Sequence, residues 1–298
     1  MLTPLDTGLI SGLTFAWAVL ALTAAFRLLS FPDITVEGSM PLGAASYAAA
    51  VQAGLPLSLA TAAALATGAV AGALTAMLHS KFEVNKLLAG IIVISIAYTG
   101  CLRIMGASNI GLLQFGTLFD WVDPLNQLAD TPFHLGEISL LTAILSSGCG
   151  LLLVGLMTEQ GLRMRVAGAN PEYARSLGID VPVHLTLGLS ITNSLAALSG
   201  VLLANRQGFA DVGMGQGVLI LALASMAIGE RLVPNRSLSF PAYVLLAAVS
   251  GSIVYQVIVS YAVWMGVPST DMELLTALLV LAVVARTTSQ DESEPLIG

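Results

Sequence analysis

Charge is scarce in this sequence: of 298 residues only 10% are Asp, Glu, Lys or Arg, where a soluble domain carries about a quarter. That shortage excludes an ordinary water-soluble globule. Basic residues are rarer than acidic ones, 11 against 18, and a net charge of −7 with a pI near 4.8 argues against nucleic acid as a partner. Cysteine is almost absent, and Cys101 and Cys149 both fall in apolar runs, where they read as small buried hydrophobes rather than disulfide or metal ligands. His79, His134 and His184 stand at the ends of different segments, and no His-Glu-x-x-His or paired-Cys arrangement occurs, so no metal site and no catalytic constellation are expected. A Gly-x-x-x-x-Gly-Lys-[Ser/Thr] loop is also missing, so the chain is not expected to hydrolyse ATP itself. No Lys or Arg precedes Arg27, so the first apolar run lacks the basic start of a cleavable signal and is expected to stay in place.

What the sequence has in quantity is apolar length. Hydrophobic residues make up 56% and the mean hydropathy is +0.87. Apolar runs that approach twenty residues recur along the chain, and backbone in lipid must be helical to satisfy its own hydrogen bonds. The expected fold is all-α, one polytopic transmembrane domain over 1–298. The first run, about Gly8 to Leu29, carries Arg27 at its end. Phe31 to Ser39 then places a proline, two acids and a glycine before Met40–Ala53, a run too short to span unless the helix starts inside the polar stretch, so this is read as a broken helix. Pro56–Leu78, rich in Ala, Thr and Gly, reads as a closely packed span.

Basic loops fix the orientation by the positive-inside rule. Lys81 and Lys86 put 79–86 in the cytoplasm; Leu87–Ile104 leads out to an acidic loop over 105–136, with Asp120, Asp123 and Asp130 and an aromatic set (Phe115, Phe119, Trp121, Phe133) suited to a short interfacial helix. Glu137–Thr158 returns and delivers Arg163, Arg165 and Arg175 inside. Val183–Asn205 leads out; a Gly-rich stretch, Arg206–Gly217, precedes a second short run to Ile228, which must still reach the basic residues Arg231 and Arg236. Pro241–Tyr261 and Glu273–Ala285 complete about nine membrane segments, two of them short or broken, with the N-terminus outside. The acidic tail at about 288–298 is expected to be disordered. One internal echo stands out: Phe31-x-Asp33 precedes the first short segment and Phe209-x-Asp211 the second, and broken helices at matching places of two halves point to a transport path.

Glu159–Pro182 is the longest polar interruption between the two apolar halves. In it Asn170-Pro171-Glu172 has the chemistry of a helix start and Gly178 that of a stop, so a helix of about two turns is expected at 170–178. Tyr173 and Leu177, four apart, share one face of it.

The segment Gly168-Ala169-Asn170-Pro171-Glu172-Tyr173-Ala174-Arg175-Ser176-Leu177-Gly178-Ile179 resembles the cytoplasmic signature of permeases in ATP-binding-cassette importers of the branched-chain amino acid and ribose type. Asp33–Ser39 is similar to another segment of that family, with Glu37 as an extra residue, and Asn205–Phe209 and Gly213–Gly215 extend the likeness into the second half. The subgroup it is most similar to is named for tryptophan or tyrosine. The resemblance implies a permease of the inner membrane of bacteria, working as a pair of copies, moving a small solute such as an aromatic amino acid. It implies two cytoplasmic ATPase subunits that hold the ATP and Mg, and an extracytoplasmic binding protein that delivers the solute. It also implies a coupling helix at 170–178, on which Gly168, Asn170, Glu172, Tyr173, Ala174, Arg175, Leu177 and Gly178 meet the ATPase.

The remaining polar residues in apolar surroundings have two readings each. Asp33, Glu37, Asn193 and Asp211 line a translocation path, since intramembrane acids are costly; or Asp33 caps the broken helix while Glu37 faces water at the cytoplasmic end. Thr192, Asn193 and Ser194 serve the path or bond neighbouring helices. Arg103 and Arg206 stand at outward ends, to meet a binding protein or, for Arg206, to pair with Asp211. A second class of function, a transporter driven by an ion gradient, would use Asp33, Glu37 and Asp211 as coupling carboxylates.

Overall fold

The computed structural model describes residues 3–121, 134–234, 238–272, 274–279 and 281. Its helices are α1 (Pro4–Leu28), α2 (Val36–Gln52), α3 (Leu57–Ser80), α4 (Lys86–Met105), α5 (Leu135–Met157), α6 (Glu159–Ala169), α7 (Pro171–Ser176), α8 (Val181–Gln207), α9 (Val218–Leu232) and α10 (Phe240–Trp264). Residues 274–279 are also helical. Starts and stops follow local chemistry. Thr3, Asn85, Thr158, Asn170 and Asp180 each accept an amide hydrogen bond from the first turn of the helix they precede. Left-handed Gly106 and Gly208 end α4 and α8.

α1 lies at the centre and α5 at the periphery: 78% of the apolar window of the first is buried against 11% of the second. Small residues let the long helices touch backbone to backbone. A Cβ on Gly12 would lie 2.7 Å from Ile253 Cα, and one on Gly72 would lie 2.0 Å from the Leu189 carbonyl. Hydroxyls tie the same contacts, with Ser199 Oγ donating to Thr14 O and Ser252 Oγ to Gly12 O.

Two helices are broken, in opposite senses. After α1 the chain turns at Ser30, a left-handed non-glycine at φ 48°, and runs back into the bundle without helix to residue 35 before α2 begins. After α8, the strand β2 (Phe209–Asp211) pairs antiparallel with β1 (Asn109–Gly111), and a 3-10 turn, Val212–Gly215, leads inward to α9. The starts of α2 and α9 meet. Gly217 N donates to Glu37 Oε1 at 3.0 Å, and a Cβ on Gly215 would lie 2.1 Å from the Glu37 carbonyl. Pro41 has no N–H to offer that carbonyl, so the helix leaves it open where the incoming backbone arrives.

From this junction α2 rises to one end of the bundle, where Gln52 Nε2 donates to Gly111 O, and α9 runs to the other, where Glu230 takes two hydrogen bonds from Arg27 at the end of α1. The Arg27 end also holds Lys86, bonded to Ser30 O, and Arg163, Arg165 and Arg175 on α6 and α7; we call it the basic end. The two halves repeat one another upside down. Pro4, Arg27, Phe31 and Asp33 are spaced from Pro182, Asn205, Phe209 and Asp211 by one constant interval. Asp33 Oδ1 accepts from Thr35 N, two residues on, and Asp211 Oδ1 from Gly213 N, again two residues on. Where Arg27 ties α1 to α9, Asn205 ties α8 to α2 by accepting from Tyr47 Oη at 3.0 Å.

Several expectations change. Among the described residues seven helices are long and apolar enough to cross a membrane, taking Val212–Leu232 as one; the expected nine also count the short α2 and the last segment. α2, at 17 residues, is a half-helix reached through extended chain, and the last segment lies partly outside the described residues, as do the tail, Asp123, Asp130 and Phe133. The acidic loop contains the strand β1 and a 3-10 turn over Leu118–Trp121. α9 starts after the Gly-rich stretch, and reaches the basic end because that stretch has already carried the chain inward. Arg206 does not pair with Asp211: its Nη1 donates to Ser11 Oγ at 2.7 Å, with Asp6 and Glu137 as the acids nearby.

Candidate functional site: the basic end and the half-helix junction

α7 is held by its ends. Asn170 Oδ1 accepts from Tyr173 N at 3.0 Å, Pro171 occupies the first helical position, and Gly178 at φ 74° closes the helix. Gly178 N reaches Arg175 O and Ile179 N reaches Ala174 O, the paired bonds of a Schellman stop. Ala174 is fully buried against Ala167 and Val181, while Tyr173 and Leu177 are 56% and 55% exposed. α7 thus has an apolar anchor within, and turns Tyr173 and the C-cap residue Leu177 outward.

α7 is joined to the first broken helix through α6. A Cβ on Gly168 would lie 2.5 Å from Leu29 Cα, so α6 crosses directly over the turn at which α1 becomes the inward chain. That turn is itself clamped: buried Phe31 packs edge-on against His79 and under Lys86 Nζ, 5.3 Å from its ring centre. Between these parts lies a cleft of about 330 Å³ with His79, Glu83, Lys86, Pro171 and Arg175 on its walls. Further in, Asp33 is fully buried, and its Oδ2 accepts from Asn193 Nδ2 at 2.6 Å; Asn193 Oδ1 in turn accepts from Ser39 Oγ at 2.7 Å. One contiguous series of contacts thus runs from α7 through Gly168, Leu29 and Phe31 to Asp33 and the start of α2.

The family model for branched-chain amino acid transport system, permease component, matches residues 5–284. The chain belongs to that family. Among proteins similar to this permease, the tyrosine transport system permease protein of Clostridioides difficile is 37% identical over 267 residues, 87% of this chain and 83% of the relative. An uncharacterized protein of Rickettsia prowazekii is 30% identical over 288 residues, 96% of this chain and 99% of its own length. The autoinducer 2 import system permease protein LsrC of an Enterobacter species is 28% identical over 220 residues, 71% and 59% of the two chains. No solved structure matches.

The permease brings the residues read as an ATPase contact together on α6 and α7, with Gly168 and Ala174 turned inward and Glu172, Tyr173, Arg175 and Leu177 outward. It separates the residues read as a path. Asp33 and Asn193 are buried on each other, and Asp211 lies near the strand pair with its carboxylate on a backbone amide. Glu37 does not face water at the basic end; it sits at the junction of the half-helices. Ser194 Oγ reaches across to Leu65 O of α3, so that hydroxyl joins helices. The reading from residue patterns missed α6, although Thr158 capping Gly161 and the Glu159–Arg163 pair one turn apart mark it. It also missed the Leu29–Phe31 turn, for which a left-handed serine gives no pattern.

Proposed function

We propose that this permease is the membrane-spanning subunit of an ATP-driven amino acid importer, working as two copies in the inner membrane of a bacterium. Its basic end faces the cytoplasm, by the distribution of Arg and Lys, which places the N-terminus outside and the strand pair toward an extracytoplasmic binding protein. ATP and Mg reside on partner ATPase subunits, since the chain carries no phosphate-binding loop. The single observation that carries the reading is the outward pair Tyr173 and Leu177 on a helix braced from within. An ATPase groove that takes up these side chains would move α7 and α6 as one piece, and with them the Leu29 turn. The printed name of the Clostridioides relative makes an aromatic amino acid the first solute to try.

Co-purification with the ATPase tests the proposal. Tyr173→Ala removes an exposed aromatic, so stability should stay within about 0.5 kcal/mol, while a buried interfacial Tyr is worth about 2 kcal/mol or a roughly 30-fold weaker complex. Arg175→Glu should weaken it as well. Complex formation and transport at the level of the unaltered protein in both variants would sink the coupling role of α7.

A further inference from the structure

Of the four polar residues read as a path, Asp33 and Asn193 are bonded to each other, while Glu37 and Asp211 each hold one backbone amide with one oxygen; Glu37 is the one at the junction of the half-helices. Its Oε1 accepts from Gly217 N, and its other oxygen takes no hydrogen bond among the described residues. The side chain is half-buried, and the neighbouring Gln216 is exposed. Depth makes this unusual. α2 has 17 residues and α9 has 15, and they leave the junction in opposite directions for roughly 25 Å and 22 Å. Ser39 bonds Asn193, the thirteenth residue of the 27 in α8, so the junction lies near the middle of that helix as well. A half-exposed carboxylate at that depth is expensive against lipid tails, so its open side meets something polar.

Charge narrows what that is. Each helix start carries about half a positive charge, so the two together roughly cancel one carboxylate. A solute with no net charge crosses such a junction at least electrostatic cost, and one that also carries an ammonium can use the open carboxylate oxygen. We propose that Glu37 is a specificity-determining residue of the transport path, receiving the ammonium group of a zwitterionic amino acid at the half-helix junction. This rests on the importer reading above and adds the chemistry of its solute. A bare neutralising role would be filled by the oxygen already on Gly217 N, and leaves the second oxygen of Glu37 without a partner among the described residues.

The test is ATP-dependent uptake of a radiolabelled mixture of L-amino acids by vesicles holding the permease with its ATPase and binding protein. Glu37→Gln should cut uptake by roughly tenfold to a hundredfold, the worth of one charged hydrogen bond, while ATP hydrolysis in the same vesicles stays within about twofold. Glu37→Asp, which keeps the charge, should retain most of the uptake. Gln216→Lys introduces a fixed ammonium at the residue before Gly217, whose amide Glu37 accepts, and should block uptake. Wild-type uptake in Glu37→Gln overturns the proposal, as does loss in Glu37→Asp equal to that in Glu37→Gln with hydrolysis intact. Should Glu37→Gln fail to fold, Gln216→Lys decides: blocked uptake supports the ammonium site and undiminished uptake overturns it. Absence of ATP-dependent uptake by the unaltered complex overturns the importer reading and this inference with it.

Discussion

Gly168→Ala tests the route from α7 to the broken helix with a single methyl group. Its Cβ would sit 2.5 Å from Leu29 Cα and 2.6 Å from both Leu29 C and Leu29 O, all backbone, where ordinary contact begins at 3.4 Å. No rotamer change relieves that overlap, so α6 and the Leu29 turn must part by about 1 Å, and overpacking of this kind costs roughly 1–3 kcal/mol. At about 2–4 °C per kcal/mol for a chain of this class, the apparent melting midpoint should fall by roughly 2–12 °C. Gly150→Ala is the matched control. It lies in α5 with nothing within 4 Å of its added Cβ, so the usual helix gain of Ala over Gly, about 0.5–1 kcal/mol, should appear. Scanning fluorimetry of both variants reads the contrast. Because the separation falls on the route itself, Gly168→Ala should also lower uptake per ATP hydrolysed in vesicles, and Gly150→Ala should not. A Gly168→Ala protein as stable and as tightly coupled as the unaltered one would refute the route.

Other perturbations bear on separate parts. Asn193→Ala strips a hydrogen bond from the fully buried Asp33 carboxylate and another from Ser39, so a loss of roughly 3–5 kcal/mol is expected, seen as poor yield in detergent; adding Asp33→Asn should recover part of it. Asn170→Ala removes the amide cap of α7, worth about 1 kcal/mol, and hydrogen exchange should rise at Tyr173 while α8 stays protected. Asp120, in the 3-10 turn, has its carboxyl held below the ordinary carboxylate range by hydrogen bonds from the Thr117 hydroxyl and amide. A lowered folded-state value means the contribution is present above the unfolded value of about 3.9 and is lost as pH falls through the folded-state value; the protection factor of the Thr117 amide, its exchange rate relative to an unstructured amide at the same pH, should therefore hold at neutral pH and fall only under strong acid.

The helical class, the capped helix at α7 and the two broken segments were legible because each has a local cause: apolar length, an Asn-Pro-Glu start with a Gly stop, or a polar run too early for a span. Residues whose meaning depends on a distant partner were not. Asp33 reads as a path acid until Asn193, far along the chain, is seen to hold it, and Arg206 points to Asp211 by proximity in sequence although its neighbours are Ser11, Asp6 and Glu137. Gly168 carries a signature resemblance, but its reason, contact with Leu29, needs the fold. The two-residue echo of Phe and Asp was a faint trace of an inverted likeness between α1 and α8, each with the turn and half-helix that follow it. Inversion hides such a repeat from hydropathy, since both halves present similar apolar lengths whichever way they run.

That repeat puts unlike chemistry at equivalent places. At the basic end the tie between a long helix and a half-helix is the ionic pair of Arg27 and Glu230, with side chains 48% and 20% exposed; at the other end it is the uncharged, buried bond of Tyr47 to Asn205. A partly exposed ion pair weakens as salt is added, whereas a buried uncharged hydrogen bond does not depend on ionic strength. A device that is symmetric in shape is therefore lopsided in its chemistry, with one tie that answers to salt and one that does not.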